Sequence, residues 1–332
     1  MIAHLAGRVF TGAVRGLPVA AAEPFRRPAP RPVGPVVDVV RGILRRGGIP
    51  RAVRTFRLTD NLDRRFLNAE SLVLSQLYWF GEQGWEPELL PWWRVLCARS
   101  SRIVELGTNI GYFAVQGAKA APGARYLAVE PHPDSARLCR EHLALNGIDS
   151  VEVLAAAATA DRAATSVSLL VPAEQLGAPT VAYLAGGSEL PRRMTGRTRA
   201  AVEVPAVEVR SLLAGVDLLK LDVEGQEHAL LSAAWPELRA YRPTVVVEVL
   251  RGTPRLRAVL VGLCTELGYA CYVPTPAGLL PLHPSRIPAI SLQREHGTND
   301  LVLSAGPSGR RGLEPDAAPR PGLRIEDRAD PG

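Results

Sequence analysis

Apolar and polar positions change rhythm along the chain. From residue 102 to 304, short apolar runs alternate with longer segments of helical period. The runs over 102–106, 125–130, 151–155, 216–222 and 244–250 predict strands, and the segments near 111–121, 133–146, 225–240 and 254–268 predict helices. The runs are apolar at successive positions rather than at every second one, which marks strands covered on both faces. Strands that alternate with helices build a mostly parallel sheet. The alternation is interrupted from 159 to 210, where 166–171 and 201–209 look like strands. Between them, Gly186-Gly187-Ser188 and a basic stretch over 192–199 predict a mobile loop. Runs over 270–273 and 300–304 complete the series. The predicted fold is α/β, a doubly wound and mostly parallel sheet.

Before residue 102 the rhythm differs. Segments over 72–80 and 89–98 have helical character, and residues 53–100 predict a helical cap on the α/β domain of 101–304. Four of the five tryptophans, Trp79, Trp85, Trp92 and Trp93, fall here. Packing the cap onto the sheet is the expected use of such aromatics, and lining a substrate mouth is the alternative. Residues 1–52 are rich in Pro, Ala and Arg and predict a largely disordered arm. It contains a polyproline-like stretch, Arg26-Arg27-Pro28-Ala29-Pro30-Arg31-Pro32, and one short amphipathic segment over 36–46. The tail over 305–332 is Pro, Gly and charge, and is expected to be disordered.

Composition refines this picture. A chain of 332 residues accommodates one large α/β domain with extensions, and 47% apolar with 22% charged residues is ordinary for a soluble globular protein. The net charge of +6 is unevenly spread: residues 1–65 hold thirteen Arg against Glu23, Asp38, Asp60 and Asp63, so the rest is neutral to slightly acidic. A core of that charge is not a basic nucleic-acid platform, and no nucleic-acid partner is expected. Lysine occurs only at Lys119 and Lys220, among basic residues that are otherwise arginine, which draws attention to Lys220. Cys97, Cys139, Cys264 and Cys271 lack C-x-x-C spacing, so reduced thiols in a cytoplasmic protein are expected rather than a disulfide framework or a zinc site. No apolar run reaches the roughly 18 residues of a membrane span. Arg8 and Arg15 interrupt the apolar core that a signal peptide would need.

Two constellations carry chemistry. The first is Val104-Glu105-Leu106-Gly107-Thr108-Asn109-Ile110-Gly111-Tyr112-Phe113, followed nineteen residues after Gly111 by Glu130 at the end of the next apolar run. Strand, glycine turn, helix, strand and acid form the layout of an adenosine-type site. Asn109 stands where the dinucleotide fingerprint has its second glycine, the one that admits a pyrophosphate. S-Adenosylmethionine has no pyrophosphate, so the turn suits it. Glu105 is then placed for the ammonium group of its amino-acid end, Asn109 for the same end, and Glu130 for both ribose hydroxyls, to which a carboxylate presents two acceptor oxygens.

The second is Asp217-Leu218-Leu219-Lys220-Leu221-Asp222-Val223-Glu224-Gly225-Gln226-Glu227. Lys220, Asp222 and Glu224 share one side of a strand, and ligands bind at the carboxyl end of such sheets. A lysine–acid pair that merely caps a strand is the plainer alternative. His132 and His228 are the best placed histidines, more suited to filling polar edges than to taking a proton. Glu248 ends the next strand. Asp222, Glu224 and Glu248 could together hold a divalent cation, since oxygen ligands suit Mg²⁺; a site without metal is the expectation adopted.

These residues resemble the FkbM family of S-adenosylmethionine-dependent methyltransferases. The resemblance rests on 104–113, on Val129-Glu130-Pro131-His132-Pro133 with Asn146-Gly147, on 219–227 with its K-x-D-x-E-G-x-E string, and on 243–248, and it spans roughly 65 to 304. It implies a class I, Rossmann-like methyltransferase fold with a seven-stranded sheet, and methyl transfer to a hydroxyl of a sugar, glycan or secondary metabolite. It places Glu105, Gly107, Asn109, Gly111 and Glu130 at the cofactor, with Tyr112 and His132 beside them. Departures are Glu105 where Asp is frequent, Thr108 where a small residue such as Ala is common, and Arg210 near a frequent Asp. The expected reaction is in-line attack of an acceptor oxygen on the sulfonium methyl group, with Asp222 as first candidate base, then Glu224 and His228. The rivals are a nucleic-acid methyltransferase using the basic arm, a nicotinamide oxidoreductase and a non-catalytic S-adenosylmethionine-binding module. The first is disfavoured because Asp222-Val223-Glu224-Gly225 stands where [DN]-P-P-[YF] would be, and the second by the missing G-x-G.

Overall fold

The computed structural model describes residues 48–61, 63–172, 183–184 and 199–305, together with residues 14, 15, 18 and 26. The segment expected over 36–46, the loop expected through Gly186 to residue 198 and the tail from 306 lie outside the described residues.

The cap opens with a short antiparallel pair, β1 (Thr55–Arg57) and β2 (Arg65–Leu67), followed by α1 (Leu72–Phe80) and α2 (Leu90–Ala98). Ser71 caps α1 by accepting the Leu74 N–H, and Pro91 sits in the first turn of α2, where a missing N–H costs nothing. The two strands are absent from the sequence-based expectation because three residues are too few to display a period. Trp79, Trp92 and Trp93 are buried, and each indole N–H finds a carbonyl: Gly48 at 3.0 Å, Thr275 at 2.8 Å and Phe113 at 2.9 Å. Trp92 and Trp93 therefore bind the cap to the α/β domain, and Trp79 ties α1 to Gly48, as amphipathic rings do when the polar edge is satisfied.

The α/β domain follows as β3 (Arg102–Leu106), α3 (Tyr112–Ala120), β4 (Arg125–Val129), α4 (Pro133–Leu145) and β5 (Val151–Leu154). After β6 (Ala157–Thr159), the strands β7 (Ser166–Pro172), β8 (Tyr183–Leu184) and β9 (Arg199–Glu208) form a small separate sheet in the order β6-β9-β7-β8. The main sheet resumes with β10 (Leu218–Leu221), α5 (Glu227–Ala233), α6 (Trp235–Tyr241), β11 (Thr244–Glu248) and α7 (Pro254–Glu266). It ends with β12 (Tyr269–Thr275), β13 (Gly278–Leu282), the short α8 (Leu292–His296) and β14 (Asp300–Ala305). The helix expected over 225–240 is split in two. Pro236, in the first turn of α6, has no N–H for a continuous helix to use.

The main sheet has eight strands in the order β13-β12-β14-β11-β10-β3-β4-β5. Strands β5, β4, β3, β10 and β11 are parallel, and β14 is antiparallel to its neighbours β11 and β12. The seven expected strands gain an eighth, β13, a hairpin partner of β12 at the sheet edge, where Pro281 is tolerated. The chain leaves β3 toward β4 on one side and returns through β10 on the other. The crevice between β3 and β10 is thus the topological switch point, where ligands bind in such sheets.

Successive strand residues serve opposite faces. Ile103, Leu218, Val246 and Val302 join the core under the cap with the tryptophans, Phe113 and Tyr126. Val104, Leu106, Leu219, Leu221, Val245 and Val247 join the core under α5, α6 and α7. By the same alternation Glu105, Lys220, Asp222, Glu248 and Asp300 belong to the cap face.

Candidate functional site

The turn after β3 is shaped by two close approaches. Gly107 has φ +82°, and a Cβ there would lie 1.8 Å from the Asp222 carbonyl oxygen. Gly111 has φ +80°, and its Cβ would lie 2.6 Å from Cys139 Sγ. Each position therefore requires glycine on two counts, conformation and space. Between them Asn109 also adopts a positive φ, +51°, which asparagine tolerates better than most residues. The turn is closed by amides. Gly107 and Thr108 donate to the Val129 carbonyl at 2.9 and 3.2 Å. His142, on α4 and fully buried, lies 2.7 Å from the Ile110 carbonyl through Nδ1, so that nitrogen carries the proton. Burial pushes the His142 imidazole down to about 4.

Glu130 follows β4 and is buried. Its Oε2 accepts the Asn109 N–H and its Oε1 the His132 N–H, both at 2.8 Å. Burial pushes its carboxyl up to about 7, partly opposed by those two N–H groups. Each oxygen has spent one acceptor direction on the backbone and retains another, so the carboxylate can accept two neighbouring hydroxyls. That pair of acceptors fits the ribose hydroxyls of an adenosine ligand. His132 is buried and serves α4 as its N-cap, with Nδ1 accepting the Ser135 N–H at 3.4 Å; burial lowers its affinity for a proton. Tyr112 turns into the cap interface, 5.9 Å from the Phe66 ring and 5.3 Å from the Phe113 ring.

Beneath the turn runs a buried polar line. Glu105 is 1% exposed, accepts the Tyr126 hydroxyl through Oε2, and lies beside Lys220 in the parallel register of β3 and β10. Burial raises the Glu105 carboxyl, against the pull of Lys220 and Tyr126. Lys220 is itself 1% exposed, with Nζ 3.2 Å from Asp222 Oδ2 and 4.8 Å from the centre of the Phe113 ring. Burial works to lower its pKa, but Asp222, Glu86, Glu105 and Asp300 outweigh burial and hold it raised. Lys220 is therefore a fixed ammonium, not a proton donor near neutrality.

The turn after β10 is held by Glu227, the first residue of α5. Its carboxylate accepts the N–H groups of Val223 and Gly225 at 3.0–3.2 Å, and burial pushes it up to about 7. This leaves Asp222 and Glu224 half-buried at the crevice, Glu224 with φ +51°. His228 is half-buried at the second position of α5. Glu248 ends β11 on the same face as Asp222. The structure brings a carboxylate oxygen of Asp222, Glu224 and Glu248 to within 4.8 Å of one another. Burial, reinforced by Asp222, Glu224, Asp300 and Glu86, pushes the Glu248 carboxyl well up.

Sequence reasoning missed Glu86 and Asp300. Asp300 opens β14 directly opposite Glu248, and Glu86 enters from the loop between α1 and α2. Both line a cavity of about 250 Å³ with Trp85, Glu88, Glu248 and Asn299. Burial raises Asp300 to about 6 and holds the Glu86 carboxyl well above its ordinary value. The available signals were an acid at the head of the apolar run 300–304 and two acids around Pro87, neither of which specifies a neighbour.

The Methyltransferase FkbM domain family matches residues 105–271, half of the chain. No curated protein matches it. Among solved structures, an FkbM methyltransferase from Methylobacillus flagellatus is similar with 15% identity and TM-score 0.38, over 61% of this chain and 43% of that one. The O-methyltransferase TomG from Streptomyces achromogenes, solved with S-adenosylmethionine, gives 16% and 0.35 over 66% and 79%. An O-methyltransferase from Bacillus cereus, solved with S-adenosylhomocysteine, gives 11% and 0.36 over 66% and 80%. The chain thus spans less than half the length of the first of these.

Proposed function

Because the chain belongs to the FkbM methyltransferase family, we propose that it transfers a methyl group from S-adenosylmethionine to a hydroxyl of a sugar, glycan or secondary metabolite. Its α/β sheet is that of a class I methyltransferase with one edge strand added. The observation that carries the proposal is Glu130, fixed by the Asn109 and His132 amides against the glycine turn at the switch point.

When bound, S-adenosylmethionine supplies an electrophilic methyl group on a positively charged sulfur. Glu130 would hold the ribose hydroxyls. Gly107, Asn109 and Gly111 shape the wall on which the ligand lies, with Tyr112 and His132 keeping α3 and α4 in place behind it. Glu105 would meet the ammonium end through Oε1, since Oε2 is engaged by Tyr126. Asp222 stands between the two turns, with Oδ2 turned to Lys220, and is the group proposed to take the acceptor's proton, ahead of Glu224 and His228. Asp222 would take the hydroxyl proton of the acceptor as its oxygen replaces sulfur on the methyl carbon, which would leave S-adenosylhomocysteine as the product. The base need not be strong, because the leaving sulfur is neutral and alignment supplies much of the acceleration.

A labelled-methyl transfer screen over sugar-bearing metabolites, glycans and lipids tests this, alongside calorimetry with S-adenosylmethionine. Label in an ether position of one acceptor class is the expected result. Binding of S-adenosylmethionine with no transfer to any acceptor would point instead to a non-catalytic module. Transfer to RNA or DNA would overturn the proposed acceptor class.

A further inference from the structure

We propose that His142 is a positioning residue for the methyl donor: from α4 it holds the Ile110–Gly111 peptide of the glycine turn in one orientation, and the cap holds His142 in place through Phe66 and Asn146. The proposal rests on the reading above that this turn carries S-adenosylmethionine. The peptide is held at both ends. The Gly111 N–H donates to the Thr108 carbonyl at 2.9 Å, and the Ile110 carbonyl accepts the Nδ1–H of His142 at 2.7 Å. Gly111, at φ +80°, lacks the Cβ that would resist rotation of this peptide. Glycine makes that rotation cheap, and the bond from α4 opposes it. A rotated peptide would turn the Ile110 carbonyl from its donor and leave it unpaired in a buried turn. Cys139, one helical turn earlier on the same face of α4, packs under Gly111 but cannot orient the carbonyl. The His142 ring is fully buried, and its Nε2 has no hydrogen-bond partner among the described residues. An apolar side chain would fill that space without leaving a polar atom unpaired. What distinguishes the ring here is its one N–H, and the turn receives it.

The Asn146-Gly147 pair supplies the link to the cap. Asn146 ends α4, four residues after His142. Its Oδ1 accepts the Arg65 N–H at 3.0 Å, and its Nδ2 donates to the Arg65 carbonyl at 2.7 Å and to the His142 carbonyl at 2.8 Å. The side-chain amide thus pairs with β2 as a neighbouring strand would. A carboxylate could not, because it lacks the donor. The next residue of β2, Phe66, is fully buried and packs T-shaped against the His142 ring, with 5.1 Å between centres. The same Phe66 ring lies 5.9 Å from that of Tyr112, the first residue of α3. One strand of the cap therefore touches both the ring that holds the turn and the helix that leaves it. Loss of the Asn146 pairing would loosen the His142 ring, and with it the turn, whether or not the hairpin reaches the donor.

The test is calorimetry of S-adenosylmethionine with the whole chain and its variants, at a temperature where melting curves show each of them folded. His142→Asn places an amide nitrogen where Nδ1 stands, His142→Gln places it where Nε2 stands, and His142→Leu places none. Affinity should fall about tenfold in His142→Leu and His142→Gln, the worth of one hydrogen bond to a buried carbonyl. In His142→Asn it should stay within about threefold of the parent. A role in packing alone would give the reverse order, because asparagine leaves the largest gap. Asn146→Ala should cost about threefold in the parent and nothing further in His142→Leu, since both changes act on one contact. His142→Leu binding as tightly as the parent, or His142→Asn binding no better than His142→Leu, overturns the positioning role. No loss in Asn146→Ala, or an equal loss in both backgrounds, overturns the cap's part in it. A parent that binds no S-adenosylmethionine removes the cofactor reading and this role with it. A parent that binds, with variants that bind equally, removes the role of His142 alone.

Discussion

The turns after β3 and β10 are neighbours at one sheet edge, and they are built alike and charged differently. Each is held by a buried glutamate that accepts backbone amides, Glu130 for the first and Glu227 for the second, and burial pushes both to about 7. The first turn owes its shape to glycines and contributes no charge between 106 and 112. The second puts Asp222 and Glu224 beside Glu248. The edge therefore divides its work. One turn presents shape and hydrogen bonds, suited to the uncharged ribose and adenine of a donor. The other concentrates charge, as the proposed transfer of a proton from the acceptor requires. They touch where Gly107 meets the Asp222 carbonyl, so the relative position of the two halves is fixed by backbone.

The comparison is most sharply tested at Asp222. Asp222→Asn should cut turnover by about 10²–10⁴ with S-adenosylmethionine affinity nearly unchanged, measured by single-turnover label transfer and calorimetry. Normal turnover would remove Asp222 as the base. A melting curve accompanies this, because Lys220 loses its ion pair. Next comes the contact between the turns. Gly107→Ala should destabilise the fold by about 2–5 kcal/mol, from a strained φ and a clash that cannot relax, seen as a lower urea midpoint. An unchanged midpoint would mean that the turns are not pressed together.

Glu130→Ala should weaken S-adenosylmethionine binding by about 10–100-fold, the worth of hydrogen bonds to a charged acceptor. Unchanged affinity by calorimetry would refute its ribose role. The raised carboxyls also make opposite pH predictions for stability and for cofactor binding. A carboxyl raised from 4.5 to about 7 holds its proton more tightly in the native chain. Its contribution to stability is fully present below about pH 4.5 and is lost as pH rises through about 7. Urea unfolding should therefore show lower stability at about pH 8 than at about pH 5, with a flatter dependence in Glu227→Gln. Cofactor binding is expected to run the other way, because in the proposed role the ribose hydroxyls donate to the ionised form of Glu130. Affinity should rise up to about tenfold between about pH 6 and 8 in the parent and remain flat in Glu130→Ala.

Much of this edge was legible in the residues. The glycines at 107 and 111 and the acid nineteen residues later belong to one local unit, strand–turn–helix–strand, whose spacing is short and whose chemistry is repeated in sequence. The K-x-D-x-E string was legible for the same reason. Glu86, Asp300 and His142 were not. Each reaches the site from a distant element, and a single polar residue on an apolar run carries no mark of the face it will meet. Tyr126 was hidden within an apolar run, where its hydroxyl could not be assigned a partner until β4 lay beside β3. Trp79, Trp92 and Trp93 were visible as packing aromatics, but only the fold distinguishes them from Trp85, which alone of the four lines the cavity.

The sequence by itself determined the alternation of strands and helices, the crevice type and the position of an acid, Glu130, at the end of the second strand, because periodicity and turn chemistry are local properties of the chain. Only the tertiary structure decided which charges share a cavity. That depends on register: Lys220 lies beside Glu105 in a parallel pair, Glu248 lies opposite Asp300 in an antiparallel one, and the cap brings Glu86 into one cavity with Glu248 and Asp300. Coulomb energy and burial are set by distances across strands, which no spacing along the chain encodes.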